Sequence, residues 1–140
     1  MAGPLVAIQL DATAPGLFSW DVNQAIAIHL NGTLISPSAP AHAGEIVVIY
    51  AAGLGRTSPD TTSGHIAGSA ATIVAAAQLQ VLLNGTACSA VSVLYAGLAP
   101  GFAGLYQINL VLPTPVPIDP VIQVATSAGI SLPQIQLATQ

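Results

Sequence analysis

The sequence predicts an all-β domain: a sandwich of two antiparallel sheets with seven to nine strands. Three observations carry this expectation. Eleven prolines and thirteen glycines are spread along the 140 residues, so few windows hold an uninterrupted helix. Between them lie short runs rich in Val, Ile, Leu and Thr, spaced as in a sandwich or barrel. Hydrophobic residues make up 53% of the chain, enough for a core in one domain of this length without disulfides or metals.

Each element has its own signal. Residues 5–10 read as a first strand, ended by Ala14-Pro15-Gly16. Residues 17–20 are a short extended piece. Residues 25–30 alternate, with Ile26, Ile28 and Leu30 on one face and Ala25, Ala27 and His29 on the other. That pattern predicts an outward-facing His29. Asn31-Gly32 supplies a tight turn, and residues 36–40 form a proline-rich connector. Residues 45–51 are almost continuously apolar, which places this strand centrally with both faces covered. Residues 53–64 are the longest polar stretch and are expected to be a surface loop. Residues 66–83 are long enough to raise a transmembrane helix, but Gly68, Ser69, Gln78 and Gln80 interrupt them and no basic or aromatic flank anchors them. They read instead as an Ala-rich connector, with a short buried helix at 70–77 as the alternative, followed by a strand. Residues 79–83 and 87–95 flank Asn84-Gly85 as a hairpin. Residues 97–104 form a bend, and residues 105–112 alternate as a strand. Pro113, Pro115 and Pro117 then break the pairing. Residues 121–125 and 134–138 are the last strands, with a turn at 127–129 between them.

Charge is the most unusual property. Only 4% of residues are charged, against roughly 25% in ordinary soluble domains. Arg56 is the one cation, facing Asp11, Asp21, Glu45, Asp60 and Asp119, for a formal net charge of −4. One basic residue excludes nucleic-acid binding by counterion release and a polybasic membrane anchor. The single cysteine, Cys88, has no internal disulfide partner and reads as a small buried hydrophobe. The first ten residues lack a charged leader pattern, so any secretion signal is expected on a longer parent protein.

No catalytic constellation is legible. His29, His42 and His65 are not spaced as metal ligands, and no Gly-x-Ser-x-Gly element is present. Asp60 with Thr61, Thr62 and Ser63 is a thin calcium candidate. No cofactor is expected. Two function classes stay open. A carbohydrate-binding module would use Trp20 or Phe102 as an aromatic platform, with Arg56 and Asp60 in the 53–64 loop; otherwise both rings cover the open ends of the sandwich. Tyr50 and Tyr106 lie on strong strands and are expected in the core. A structural or adhesive module would associate through its surface. The chain has no lysine to protect edge strands, so residues 5–10 could add to a neighbour's sheet. Its partners would be neighbouring modules of the parent protein or further copies of this chain, with polysaccharide as the alternative.

Several motifs occur in order: Ala14-Pro15-Gly16-Leu17-Phe18, Asn31-Gly32-Thr33-Leu34, Ser36-Pro37-Ser38, Gly44-Glu45-Ile46-Val47-Val48-Ile49-Tyr50 with Gly53-Leu54-Gly55, Tyr95-Ala96-Gly97-Leu98-Ala99-Pro100-Gly101-Phe102, and Gly104-Leu105-Tyr106-Gln107-Ile108-Asn109. From residue 12 onward this series resembles a family of uncharacterised secreted C-terminal domains abundant in Acidobacteria of the Solibacter type. The resemblance implies an immunoglobulin-like domain over residues 12–140, with residues 1–11 as a linking strand or the tail of a preceding module. It implies an extracellular or cell-surface setting and carries over no catalytic residues. The poverty of charge departs from the family.

Overall fold

The structure, a computed structural model, describes residues 15–55, 57–58, 71–74, 76–102, 104–127 and 129–140. Twelve strands follow one another: β1 (Gly16–Leu17), β2 (Ser19–Trp20), β3 (Gln24–Ala25), β4 (Ala27–His29), β5 (Ile46–Ala52), β6 (Thr57–Ser58), β7 (Ala71–Ile73), β8 (Gln80–Leu83), β9 (Thr86–Ala87), β10 (Val93–Leu98), β11 (Tyr106–Val111) and β12 (Ile122–Ala125). The larger sheet runs β1-β5-β11-β10-β7-β6, with β4 also paired to β5. The smaller runs β12-β8-β9, and β2 and β3 form a separate ribbon. Every strand pair is antiparallel. The chain is an all-β protein, cut more finely than the expected seven to nine strands because bulges and 3-10 turns interrupt the longer runs.

β5 is central, as its apolar run predicts, but it is not covered on both faces: on the outer side Ile46 and Tyr50 are only half-buried. It pairs with β11 from Ile46↔Val111 to Ala51↔Tyr106, and with β4 and then β1 along its other edge. Val47, Ile49 and Ala51 point inward and are fully buried. They join Ile108 and Leu110 of the same sheet and Val81, Leu83, Ile122 and Val124 of the smaller sheet in one cluster. Each fully buried aliphatic side chain contributes roughly 1.5–3 kcal/mol, so this shared core is what holds the two layers together. The alternation expected for residues 105–112 is borne out: Ile108, Leu110 and Leu112 are buried, and Tyr106 packs partly against them.

Other expectations need correction. At residues 25–30 the inward face is Ala25, Ala27 and His29, whereas Leu30 is exposed and Ile26 and Ile28 are half-buried. The small alanines let the C-terminal segment approach closely: the Ala25 N–H donates to the Gln136 carbonyl at 2.9 Å. The 87–95 strand is broken. β9 ends at Ala87, a 3-10 turn spans Ala90–Ser92, and β10 then joins the other sheet. The 53–64 loop contains β6, paired to β7, with Thr57 buried. In place of a helix at 70–77 the chain forms β7 and an exposed 3-10 turn, Ala76–Gln78. The last strand reduces to isolated bridges at Gln136 and Thr139, although Leu137 and Ala138 are buried. Residues 5–10, and with them the proposed linking segment 1–11, lie outside the described residues. Among the described residues no helix is long and apolar enough to cross a membrane.

The β8–β9 hairpin confirms its turn chemistry. Asn84 and Gly85 both take positive φ, 52° and 80°, as the right-handed twist of paired strands demands. No heavy atom lies within 4 Å of where a Gly85 Cβ would sit. Gly85→Ala therefore costs only backbone strain, about 1 kcal/mol. Thermal unfolding followed by circular dichroism should show Tm about 3 °C lower.

Candidate functional site

The outward side of the larger sheet carries an apolar groove. On β5, Val47, Ile49 and Ala51 face the core, so Tyr50 faces away from it. Phe18 and Ile26 sit beside it through a continuous ladder. The Phe18 N–H donates to the Tyr50 carbonyl at 3.3 Å, the Ile26 N–H to the Phe18 carbonyl at 2.8 Å, and the Tyr50 N–H to the Ile26 carbonyl at 3.1 Å. The 99–105 loop closes with the Ala99 N–H on the Leu105 carbonyl at 2.8 Å, and it brings Phe102 and Leu105 to the same place. These five residues line an open groove of about 430 Å³. Phe18 is 41% exposed and Phe102 58% exposed. Among the described residues no charged side chain lines it. Such a surface loses little by leaving water and gains from contact with another apolar surface.

Sequence reasoning placed these residues unevenly. Phe102 lies on the Gly/Pro bend as expected, but it stands in the groove on the sheet face. Tyr50, expected in the core, is half-buried on the outer face. Tyr106 faces inward, its hydroxyl donating to the Gly55 carbonyl. Trp20 is half-buried and does not line the groove, and its indole N–H is buried with no acceptor among the described residues. Arg56, Asp60 and the calcium candidate at 60–63 lie outside the described residues. Phe18, Ile26 and Leu105 were missed. The alternation of residues 25–30 held the signal, but the larger Ile26 and Ile28 pointed to the wrong face as the inward one.

A second cleft, of about 670 Å³, opens at one end of the larger sheet and is lined by His29, Asn31, Thr33, Ser38, His42 and Glu45 among others. His29 Nδ1 meets the Glu45 carboxylate, and His29 Nε2 lies 2.9 Å from the Ala39 carbonyl oxygen. The other Glu45 oxygen accepts the His42 backbone N–H at 2.8 Å. His29 therefore faces a structural role, but from the inward side of β4 and not the outward side expected. Among the described residues no three His, Cys, Asp or Glu side chains converge as metal ligands.

Cys88 is half-buried against the core cluster, and burial pushes its thiol up from the ordinary value. It stays protonated at neutral pH, the state of an unreactive thiol.

Comparison with protein-family models, with curated proteins and with solved structures finds no match to this chain.

Proposed function

We propose that this chain is a non-catalytic assembly module of a larger secreted or cell-surface bacterial protein, associating through the open face of its larger sheet. The carrying observation is the uncharged groove of Phe18, Ile26, Tyr50, Phe102 and Leu105, with two aromatic rings in solvent. Interfaces draw most of their affinity from a few aromatic anchors in such pockets. The partner that fits is a second neutral sheet face, in the first instance another copy of this chain.

Two sheet edges are already occupied by other segments of the chain, which favours face packing over edge addition at those edges. The edge of β4 is covered by residues 33–35, through the Ile28↔Leu34 bridge and the Ile35 N–H on the Ala27 carbonyl. The edge of β12 is covered by residues 130–136. The exposed Phe102 ring favours a second reading, a carbohydrate platform. Sugars, however, need several convergent hydrogen-bonding groups, and among the described residues Tyr50 brings the only polar side chain to this groove.

Light scattering on eluting protein from micromolar to millimolar concentration tests the proposal. The wild-type chain should self-associate, and Phe102→Asp should weaken association by roughly tenfold or more while leaving Tm within about 2 °C. A strict monomer at millimolar concentration, or association unchanged in the variant, would overturn it. Trp20 does not line the groove, so its emission is an indirect reporter. Soluble oligosaccharides should be screened by amide shifts at Phe102 instead.

A further inference from the structure

We propose that His29 is a doubly protonated clasp: as an imidazolium it ties β4 to both Glu45 and the Ala39 carbonyl, and it releases the 36–40 segment when it loses a proton.

Both ring nitrogens point at oxygens that only accept. Nδ1 faces a carboxylate and Nε2 a backbone carbonyl. A neutral imidazole has one N–H and one lone pair. Whichever tautomer it took, a lone pair would face an oxygen lone pair across one of the two contacts. The two contacts coexist without repulsion only when both nitrogens carry protons. Glu45 is itself fixed, because its second oxygen holds the His42 N–H.

The segment that would respond is well defined. From the Gly32 turn the chain returns along β4 and is anchored by Ile35, which is buried and whose N–H donates to the Ala27 carbonyl at 2.9 Å. Beyond Ile35 the chain makes a tight turn, with Ser36 and Ala39 exchanging backbone hydrogen bonds of 3.2 and 2.9 Å. The His29 ring is the side chain that fastens this turn to the sheet.

Among the described residues the other titratable groups at the cleft are Glu45 and His42, and His42 acts on Glu45 through its backbone N–H and its charge, without a contact to the His29 ring. β4 meets Val47 of β5 and Thr33 of the returning segment, neither of which titrates in water. The Glu45 hydrogen bond raises His29 above its ordinary 6.5; partial burial opposes this, and the Ala39 carbonyl and the Glu45 charge reinforce it. Partial burial pushes Glu45 up, but the bonds from His29 and the His42 N–H outweigh it and leave the carboxyl below its ordinary 4.5.

The signs follow from linkage. The stabilisation from His29 is complete below 6.5 and is lost as pH rises through its raised folded value. That from Glu45 is complete above 4.5 and is lost as pH falls through its lowered folded value. The clasp is strongest between these limits and opens on the alkaline side.

A nitrogen-detected NMR titration of the wild-type chain tests this without any variant. Both His29 ring nitrogens should read as N–H at about pH 6, and the titration midpoint should lie above 6.5. Across that midpoint, exchange protection at the Ala39 N–H should fall roughly tenfold beyond base catalysis. In Glu45→Gln the midpoint should move back toward 6.5, and in His29→Gln the pH-dependent loss of protection should vanish. A single-N–H tautomer at the acid end, a midpoint at or below 6.5, or the same loss in His29→Gln would each overturn the proposal.

Discussion

Replacing Ile108 with Ala should destabilise the fold by about 3 kcal/mol. Ile108 is 0% exposed in the middle of β11. It lies opposite Ile49 on one neighbour and Ala96 on the other, both buried. The small Ala96 and the paired backbones leave little scope for the site to collapse, so lost contacts and a residual cavity add together. A domain of this size holds only about 5–15 kcal/mol in total, so the variant should unfold at a markedly lower urea concentration. The control is Val91→Ala. Val91 is 84% exposed in the turn before β10, and its loss should change stability by about 0.5 kcal/mol at most. Equal midpoints for the two variants would mean that the inner faces of the sheets do not form a shared core.

Thr139→Val should cost about 2–3 kcal/mol although it preserves shape. Thr139 is buried near the end of the described chain. Its hydroxyl donates to the Pro117 carbonyl and accepts the Asp119 N–H at 2.8 Å, while its own N–H donates to Asp119 Oδ1 at 3.1 Å. Asp119 has a φ of 45°, a left-handed conformation unfavourable for a residue with a Cβ. The Thr139 hydroxyl thus clasps a strained turn, and valine would take the partner from the part-buried Asp119 N–H and Pro117 carbonyl. Urea unfolding of Thr139→Val beside Thr139→Ser separates the causes. Serine keeps the hydroxyl and should recover most of the loss; a serine variant as weak as valine would assign the effect to packing.

Local chemistry made the legible elements legible. Asn84-Gly85 announces a hairpin because few other pairs take two positive φ values cheaply. The run Ile46-Val47-Val48-Ile49-Tyr50 announces a central, doubly paired strand, but it gave no sign that the outer face is left open at Tyr50. Thr139 carried no such signal, since its partners lie about twenty residues away and threonine is common throughout the chain. His29 was misplaced for a related reason. Alternation groups it with Ala25 and Ala27, but Ile26 and Ile28 looked like the better core. The close approach of the C-terminal segment reversed that choice, and no pattern within residues 25–30 reports a neighbour more than a hundred residues on. The same reversal turned Ile26 outward beside Phe18 and Tyr50 and so created the groove. Of the two candidate ligand-binding residues that are described, Trp20 and Phe102, Phe102 is the one that lines it.

Amide shifts recorded at increasing protein concentration, from micromolar to millimolar, test most directly whether the larger sheet's outer face is where this protein meets its partner. The predicted result is progressive change at Phe18, Ile26, Tyr50, Phe102 and Leu105, with Gln80, Leu82 and Gln123 on the far side of the smaller sheet unmoved. Shifts concentrated on that smaller sheet, or none at the highest concentration, would contradict it.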